Sequence, residues 1–230
     1  MAIVTLVRHG QASFGAADYD QLSPLGEQQL QHLGATFATQ EEPVDIVVRG
    51  SLRRHQQSCA AFLQGYGKTL SVQEIAQWNE FDHRAVMRAL AFDEPQLRQL
   101  FAANGAAKIP EREVLALFLR SITRWQSGAH DDDYAESWPA FVQRVQQAWQ
   151  QLHGLAGHER IVVITSGGPI ALSAMDCLGM PATQMMSINQ HLVNSGISRF
   201  FFKPERGARL LSLNEHYHVS GKFSALLTYR

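Results

Sequence analysis

Along the chain, short β-branched hydrophobic runs alternate with longer segments whose apolar residues recur every three or four positions. Residues 2–7 form the first such run; followed by Gly10, it reads as a buried strand that ends in a loop. Ser23-Pro24 predicts a helix start, with Ser as N-cap and Pro preorganised at the first helical position. Leu25, Leu30, Leu33 and Phe37 give that helix an apolar stripe. Residues 44–48, after Pro43, predict a second strand. Ser51 is expected to begin a second helix, with Leu52, Cys59, Phe62 and Leu63 facing a core. Residues 70–75 read as a further strand.

The texture changes between about 81 and 157. Helical stretches are expected near 94–104, 111–125 and 137–155, separated by Asn104-Gly105 and by the turn-rich run from Ser127-Gly128 to Asp131-Asp132-Asp133. This segment reads as a helical insertion, because it interrupts strand–helix alternation without a clear linker. Residues 160–165 are the strongest predicted strand and run into Ser166-Gly167-Gly168-Pro169 and a helix. Residues 197–203 and 209–213 are the last predicted strands. The alternation predicts one α/β domain over 1–230: a mostly parallel sheet flanked by helices, with the insertion at about 81–157.

Composition narrows the function. With 230 residues, 45% of them hydrophobic, the chain can bury a sizeable core. A net charge of -1 argues against nucleic acid or an anionic membrane as the main partner, since both select a basic excess. The two cysteines, Cys59 and Cys177, form no CxxC pair, so a reduced, cytoplasmic protein is expected. The apolar start lacks a basic leader, and no apolar run approaches the roughly 18 residues that span a bilayer. A soluble protein without signal peptide follows as the expectation.

Ligand sites in open α/β sheets lie at the carboxyl ends of strands, and three loops fall there. Arg8-His9-Gly10 follows the first strand, where Gly permits a tight turn. The run from Ser51 to Ser58 contains Arg53, Arg54 and His55 at a helix start, where free N–H groups and a forked guanidinium suit an anion. Thr165-Ser166-Gly167-Gly168 also precedes a helix. Other residues have simpler readings. His216 and His218 lack a third metal ligand in a recognisable pattern and read as structural. Asp131-Asp132-Asp133 reads as a solvated turn. His191, near a probable helix end, is more simply a cap or core residue than a site residue, and Trp125, Trp138 and Trp149 read as core.

Together the loops resemble the histidine phosphatase superfamily, which includes cofactor-dependent phosphoglycerate mutases. Arg8-His9-Gly10 resembles its signature triplet. The segment from Asp20 to Gly26 is similar to D-x-L-[ST]-x-x-G, and Leu52-x-Arg54-x-x-Gln57-Ser58 to L-x-R-[AT]-x-Q-T, a spacing that selects Arg54 over Arg53. Trp78-Asn79-Glu80 resembles the segment L-x-E. The resemblance implies a phosphoglycerate mutase-like fold, His9 as nucleophile, Glu80 as acid, and Arg8, Arg54, Ser166 and Gly167 as phosphate ligands. It implies no metal and no cofactor, since arginines supply the positive charge. The implied substrate is a small phosphorylated metabolite or another phosphate monoester, hydrolysed through a phosphohistidine. Two departures stand out: Ser166 replaces the family's usual second His, and Ala12 and Gly15 stand where mutases carry a hydroxyl residue and then Asn. Both favour hydrolysis over mutase-type phosphoryl transfer, while the joint presence of Arg8, His9, Arg54 and Glu80 argues against the other alternative, a catalytically weakened phospholigand-binding protein, since binding needs neither nucleophile nor acid.

Overall fold

The structure, a computed structural model, describes residues 1–13, 20–94, 97, 111–155, 157–181 and 184–229. These fall into two compact units, 1–80 with 144–230, and 81–143.

The first unit is built on a six-stranded sheet of order β3-β2-β4-β1-β5-β6. Its strands are β1 (Ala2–Arg8), β2 (Ile46–Arg49), β3 (Ser71–Glu74), β4 (Arg160–Thr165), β5 (Ile197–Lys203) and β6 (Gly207–Glu215). The pairs β1–β4, β2–β4 and β2–β3 are parallel, whereas β5 pairs antiparallel with both β1 and β6. The sheet is therefore mostly parallel, with an antiparallel edge.

Two helices cover one face: α1 (Pro24–Thr39) and α2 (Arg53–Tyr66). Leu30, Leu33, Phe37 and Phe62 pack there on Val7, Val47, Val162 and Ile164. Helix α1 starts as expected, Ser23 Oγ accepting from the N–H of Gly26 with Pro24 at the first position. Helix α2 starts at Arg53 and not at Ser51. The reason is Asn79, whose Oδ1 accepts the Ser51 N–H at 2.8 Å while its Nδ2 donates to Ser51 Oγ at 2.7 Å, so Ser51 is held out of the helix. Along β5, side-chain alternation puts Ile197 in the core under α1 and α2, and turns Phe200 and Phe202 to the other face against Trp149. Helix α6 (Gly167–Leu178), whose Ser173 Oγ accepts from Trp149 Nε1 at 2.9 Å, and the short α7 (Met185–Asn189) complete this unit.

The second unit holds α3 (His83–Asp93), α4 (Glu111–Gln126) and the first part of α5 (Trp138–Gln151). The rings of Phe81, Trp125, Trp138 and Phe141 form its aromatic core. Helix α3, capped by Asp82, was not anticipated from sequence, while the helix expected at 94–104 lies outside the described residues except for Glu94, which caps α3, and Leu97. The unit closes at Gln143, ahead of the boundary read at 157, because Trp149 packs on the sheet unit. The Asp131–Asp133 turn is more than solvated: Asp133 Oδ2 accepts from Arg124 Nη2 at 2.5 Å. Among the described residues no helix is long and apolar enough to cross a membrane.

Candidate active site

Strands β1 and β4 run side by side with Arg8 in register with Thr165, so the next residues, His9 and Ser166, leave adjacent strands at the same end. The His9 N–H donates to the Thr165 carbonyl at 2.9 Å, and Asn194 Nδ2 donates to the His9 carbonyl at 3.1 Å. The His9 ring is only 7% exposed. Its Nδ1 lies 2.7 Å from the Gly10 carbonyl, which can only accept, so Nδ1 carries the proton and Nε2 keeps a lone pair. Arg54 Nε donates to that Nε2 at 3.2 Å. Burial above all, then the charges of Arg54, His55 and Arg8, hold the His9 pKa well below the usual histidine range. The ring is a neutral base with its lone pair set among cations.

Arg54 is buried at the start of α2, whereas Arg53 is exposed. Leu52 gives α2 no side-chain cap. Asp20 supplies one instead: its Oδ2 accepts the Arg53 N–H at 2.8 Å, and its Oδ1 accepts from Arg54 Nη1 at 2.6 Å. The rest of the motif builds the loop. Gln57 Oε1 accepts the Leu22 N–H at 2.8 Å, and Ser58 Oγ accepts the Gly10 N–H at 3.2 Å. Gly10 meets α1 so closely that a Cβ there would fall 2.2 Å from the Gly26 carbonyl oxygen.

Arg8 is near enough to weigh on His9, but its Nη1 donates to the carbonyls of Leu192 and, at 3.0 Å, Tyr229. The carboxyl-terminal strip is tied in further by buried Gln29. Its Nε2 donates to the Leu226 carbonyl (2.7 Å) and Thr228 Oγ1 (2.8 Å), while its Oε1 accepts the Gln11 N–H at 2.8 Å. Thr228 Oγ1 in turn donates to Asn194 Oδ1 at 2.9 Å.

In the third loop Ser166 is fully buried, its Oγ 2.7 Å from His55 Nε2. Gly167 begins α6 against the Asn189 side chain: a Cβ on Gly167 would lie 1.9 Å from Asn189 Oδ1. Glu80 Oε2 accepts the Gly168 N–H at 3.0 Å, which brings this carboxyl group to the α6 N-terminus. Its segment is fixed by Thr165 Oγ1, donating to the Trp78 carbonyl at 2.5 Å, and by Arg144 Nη1, donating to the Asn79 carbonyl at 2.7 Å.

The six residues singled out from sequence thus gather at one end of the sheet: Arg8, His9, Arg54, Glu80, Ser166 and Gly167. His191 does not join them; it is exposed and its ring meets Gln190. His218 is buried elsewhere with Nε2 2.8 Å from Ser195 Oγ, and burial, then His32 and His216, lower its pKa to about 4. Gly15 lies outside the described residues. Sequence reasoning missed the Asp20 bridge, the Asn79 clasp and the burial of His55. Asp20 and His55 stood inside quoted motifs, but nothing in their spacing marked their partners.

The family profile of the histidine phosphatase superfamily (branch 1) matches residues 4–101 and 102–216. No curated protein matches the chain. Among solved structures, a putative alpha-ribazole-5'-P phosphatase from Escherichia coli is 21% identical, with TM-score 0.63 over 93% of this chain and 96% of that one. A variant phosphoserine phosphatase from Entamoeba histolytica, in complex with phosphoserine, is 18% identical, with TM-score 0.62 over 96% and 100%. A phosphoglycerate mutase from Bacillus anthracis is 14% identical, with TM-score 0.64 over 95% of each chain. These likenesses establish the shared fold, and the profile, which spans most of the sequence, establishes that the chain belongs to the histidine phosphatase superfamily, branch 1.

Proposed function

We propose that this protein is a metal-independent phosphatase that hydrolyses small phosphate monoesters through a phosphohistidine on His9. The observation that carries the reading is the His9 ring: its proton is directed to Gly10, and its Nε2 lone pair faces Arg54 in a buried site. An imidazole held neutral in this way is a nitrogen nucleophile.

A dianionic phosphoryl group entering between His9 and Arg54 takes over the guanidinium bond that now ends on Nε2. Arg54 and Arg8 spread the charge of the equatorial oxygens, and the Gly167 N–H at the α6 N-terminus adds a fixed donor. His9 Nε2 forms a bond to phosphorus as the ester P–O bond breaks, and Glu80 passes its proton to the departing alkoxide. Glu80, now a carboxylate, takes a proton from water as that water attacks phosphorus, and the N–P electron pair returns to Nε2. What supports Glu80 in both steps is its carboxyl group on the Gly168 N–H at the start of α6. The names of the solved relatives, which include an alpha-ribazole-5'-P phosphatase and a phosphoserine phosphatase, support a small phosphorylated metabolite as substrate. Free Cys59 and Cys177 suit a reducing cytoplasm.

A brief exposure to a radiolabelled aryl phosphate, followed by an alkaline quench, should leave acid-labile, base-stable label on the protein. His9→Ala should leave none. Label that persists in His9→Ala would assign the nucleophile elsewhere.

A further inference from the structure

His55 takes no part in the chemistry above, yet it is among the most enclosed polar residues of the fold. It is 0% exposed, follows Arg54 on α2, and has its ring centroid 5.7 Å from that of His9. Its Nε2 is 2.7 Å from the equally buried Ser166 Oγ. Its Nδ1 is buried without a hydrogen-bond partner. The slot is shaped to the ring: a Cβ on Gly50 would fall 2.3 Å from His55 Nδ1, so only glycine leaves room for it.

Two features fix the direction of the His55–Ser166 bond. A buried N–H without acceptor is rarer in folded proteins than a buried bare acceptor, so the orphaned Nδ1 places the ring proton on Nε2, which donates to Ser166 Oγ. Ser166 also stands at the N-cap of α6, where serine ordinarily bonds back to the first turn, yet its side chain makes no capping bond. With its oxygen accepting from His55 and turned from the helix, the hydroxyl has its own proton left to give. Ser166 leaves β4 beside His9 on β1, so a phosphoryl group on His9 Nε2 is the acceptor within its neighbourhood.

We propose that His55 is a positioning residue for phosphoryl transfer, holding the Ser166 hydroxyl as a donor to the transferring group. Resting on His9 as the nucleophile, the proposal adds a histidine–serine relay to the two arginines. No bond to phosphorus forms at either residue: the Nε2–H···Oγ bond orients the hydroxyl, and the O–H donates to an equatorial oxygen whose charge grows in the transition state. The imidazole also lies close enough to Arg54 for that charge to lower its pKa, after burial and ahead of Arg49.

The test is a double-mutant cycle read as separate kcat and KM on an aryl phosphate, with His9→Ala as reference. Ser166→Ala and His55→Asn should each lower kcat about tenfold to a hundredfold, with KM within about threefold. The double variant should fall no further than the worse single one. His55→Gln, whose amide nitrogen reaches the place of Nε2, should recover most of the rate, while His55→Asn, whose amide reaches only the place of Nδ1, should not. Because Ser166→Ala removes a single oxygen, its cycle with His55→Gln serves if His55→Asn fails to fold. Wild-type kcat in His55→Asn, multiplying losses in the double variant, or equal rates for Gln and Asn would each overturn the relay. So would a Ser166→Ala loss as complete as that of His9→Ala, since Ser166 would then react directly. Should His9→Ala itself keep activity, the phosphohistidine reading falls too, which separates the two failures.

Discussion

At the scale of single residues, the site is a set of charges placed by backbone geometry more than by one another. Arg54 is the clearest case. Its neighbour Arg53 has the same side chain on the same helical turn, but Arg54 is buried against His9 while Arg53 is exposed. A charged hydrogen bond to a buried phosphoryl group is worth about 1.5–3 kcal/mol or more, against less than about 1 kcal/mol for an exposed pair. Arg54→Ala should therefore cost about a hundredfold or more in kcat/KM, and Arg53→Ala under about tenfold. Equal losses would show that the register of α2 has been misassigned. Arg54 was singled out from Arg53 in the sequence through the resemblance of Leu52-x-Arg54-x-x-Gln57-Ser58 to the family's motif. His55 was not, although it is the next residue. Its burial depends on the small Gly50 and on Ser166, far along the chain, and a histidine beside two arginines has no local mark of an interior position.

At the scale of elements, the boundaries that sequence misjudged are those decided by a side chain from another element. Ser51 has the chemistry of an N-cap, but Asn79 takes both its N–H and its hydroxyl, and α2 starts two residues later with Asp20 as its cap. Helix α3, capped by Asp82, escaped notice because the first helical stretch of the insertion was expected only from about 94. The loop around His9 shows the same dependence on contacts between elements. It can approach the N-terminus of α1 only because Gly10 and Gly26 both lack a side chain where their backbones meet. Gly10→Ala would drive a methyl group into the Gly26 carbonyl, and backbone there yields little. We expect a loss of about 1–3 kcal/mol in stability, as for other overpacked sites, with a marked fall in kcat because His9 moves with the loop. Urea unfolding and steady-state rates measured on the same preparation would check both. Wild-type stability and rate together would mean that the loop and α1 part more easily than their spacing suggests.

At the scale of the whole molecule, the α/β class and mostly parallel sheet were readable from strand–helix alternation, whereas the antiparallel placement of β5 and β6 was not, because strand direction depends on where a connection crosses and not on the strand's own pattern. Buried neutral histidines give the fold a dependence on pH. His218, 4% exposed, has its pKa lowered to about 4, and His9 and His55 are lowered in the same direction. The unfolded chain binds these protons near the ordinary histidine value of about 6.5, so stability is fully present above that pH and is lost as pH falls from about 6.5 towards the folded values. For His218 alone, whose folded pKa is about 4, the change is about 3 kcal/mol across that window. The urea midpoint should therefore drop between pH ~7 and pH ~4, and His218→Gln should flatten the slope. A midpoint independent of pH in the wild type would contradict the neutral state assigned to these rings.

The strip at residues 226–229 meets Arg8 and, through Gln29 and Asn194, the loop around His9. Its anchors are Arg8 at the end of β1, Gln29 on α1 and Asn194, so a change that loosened the strip would reach the loop around His9 through side chains and not through the sheet's own ladder. Protein altered in this strip would still melt cooperatively, yet turn over slowly. Specific activity is therefore a more sensitive gauge of this strip's integrity than any measure of folding.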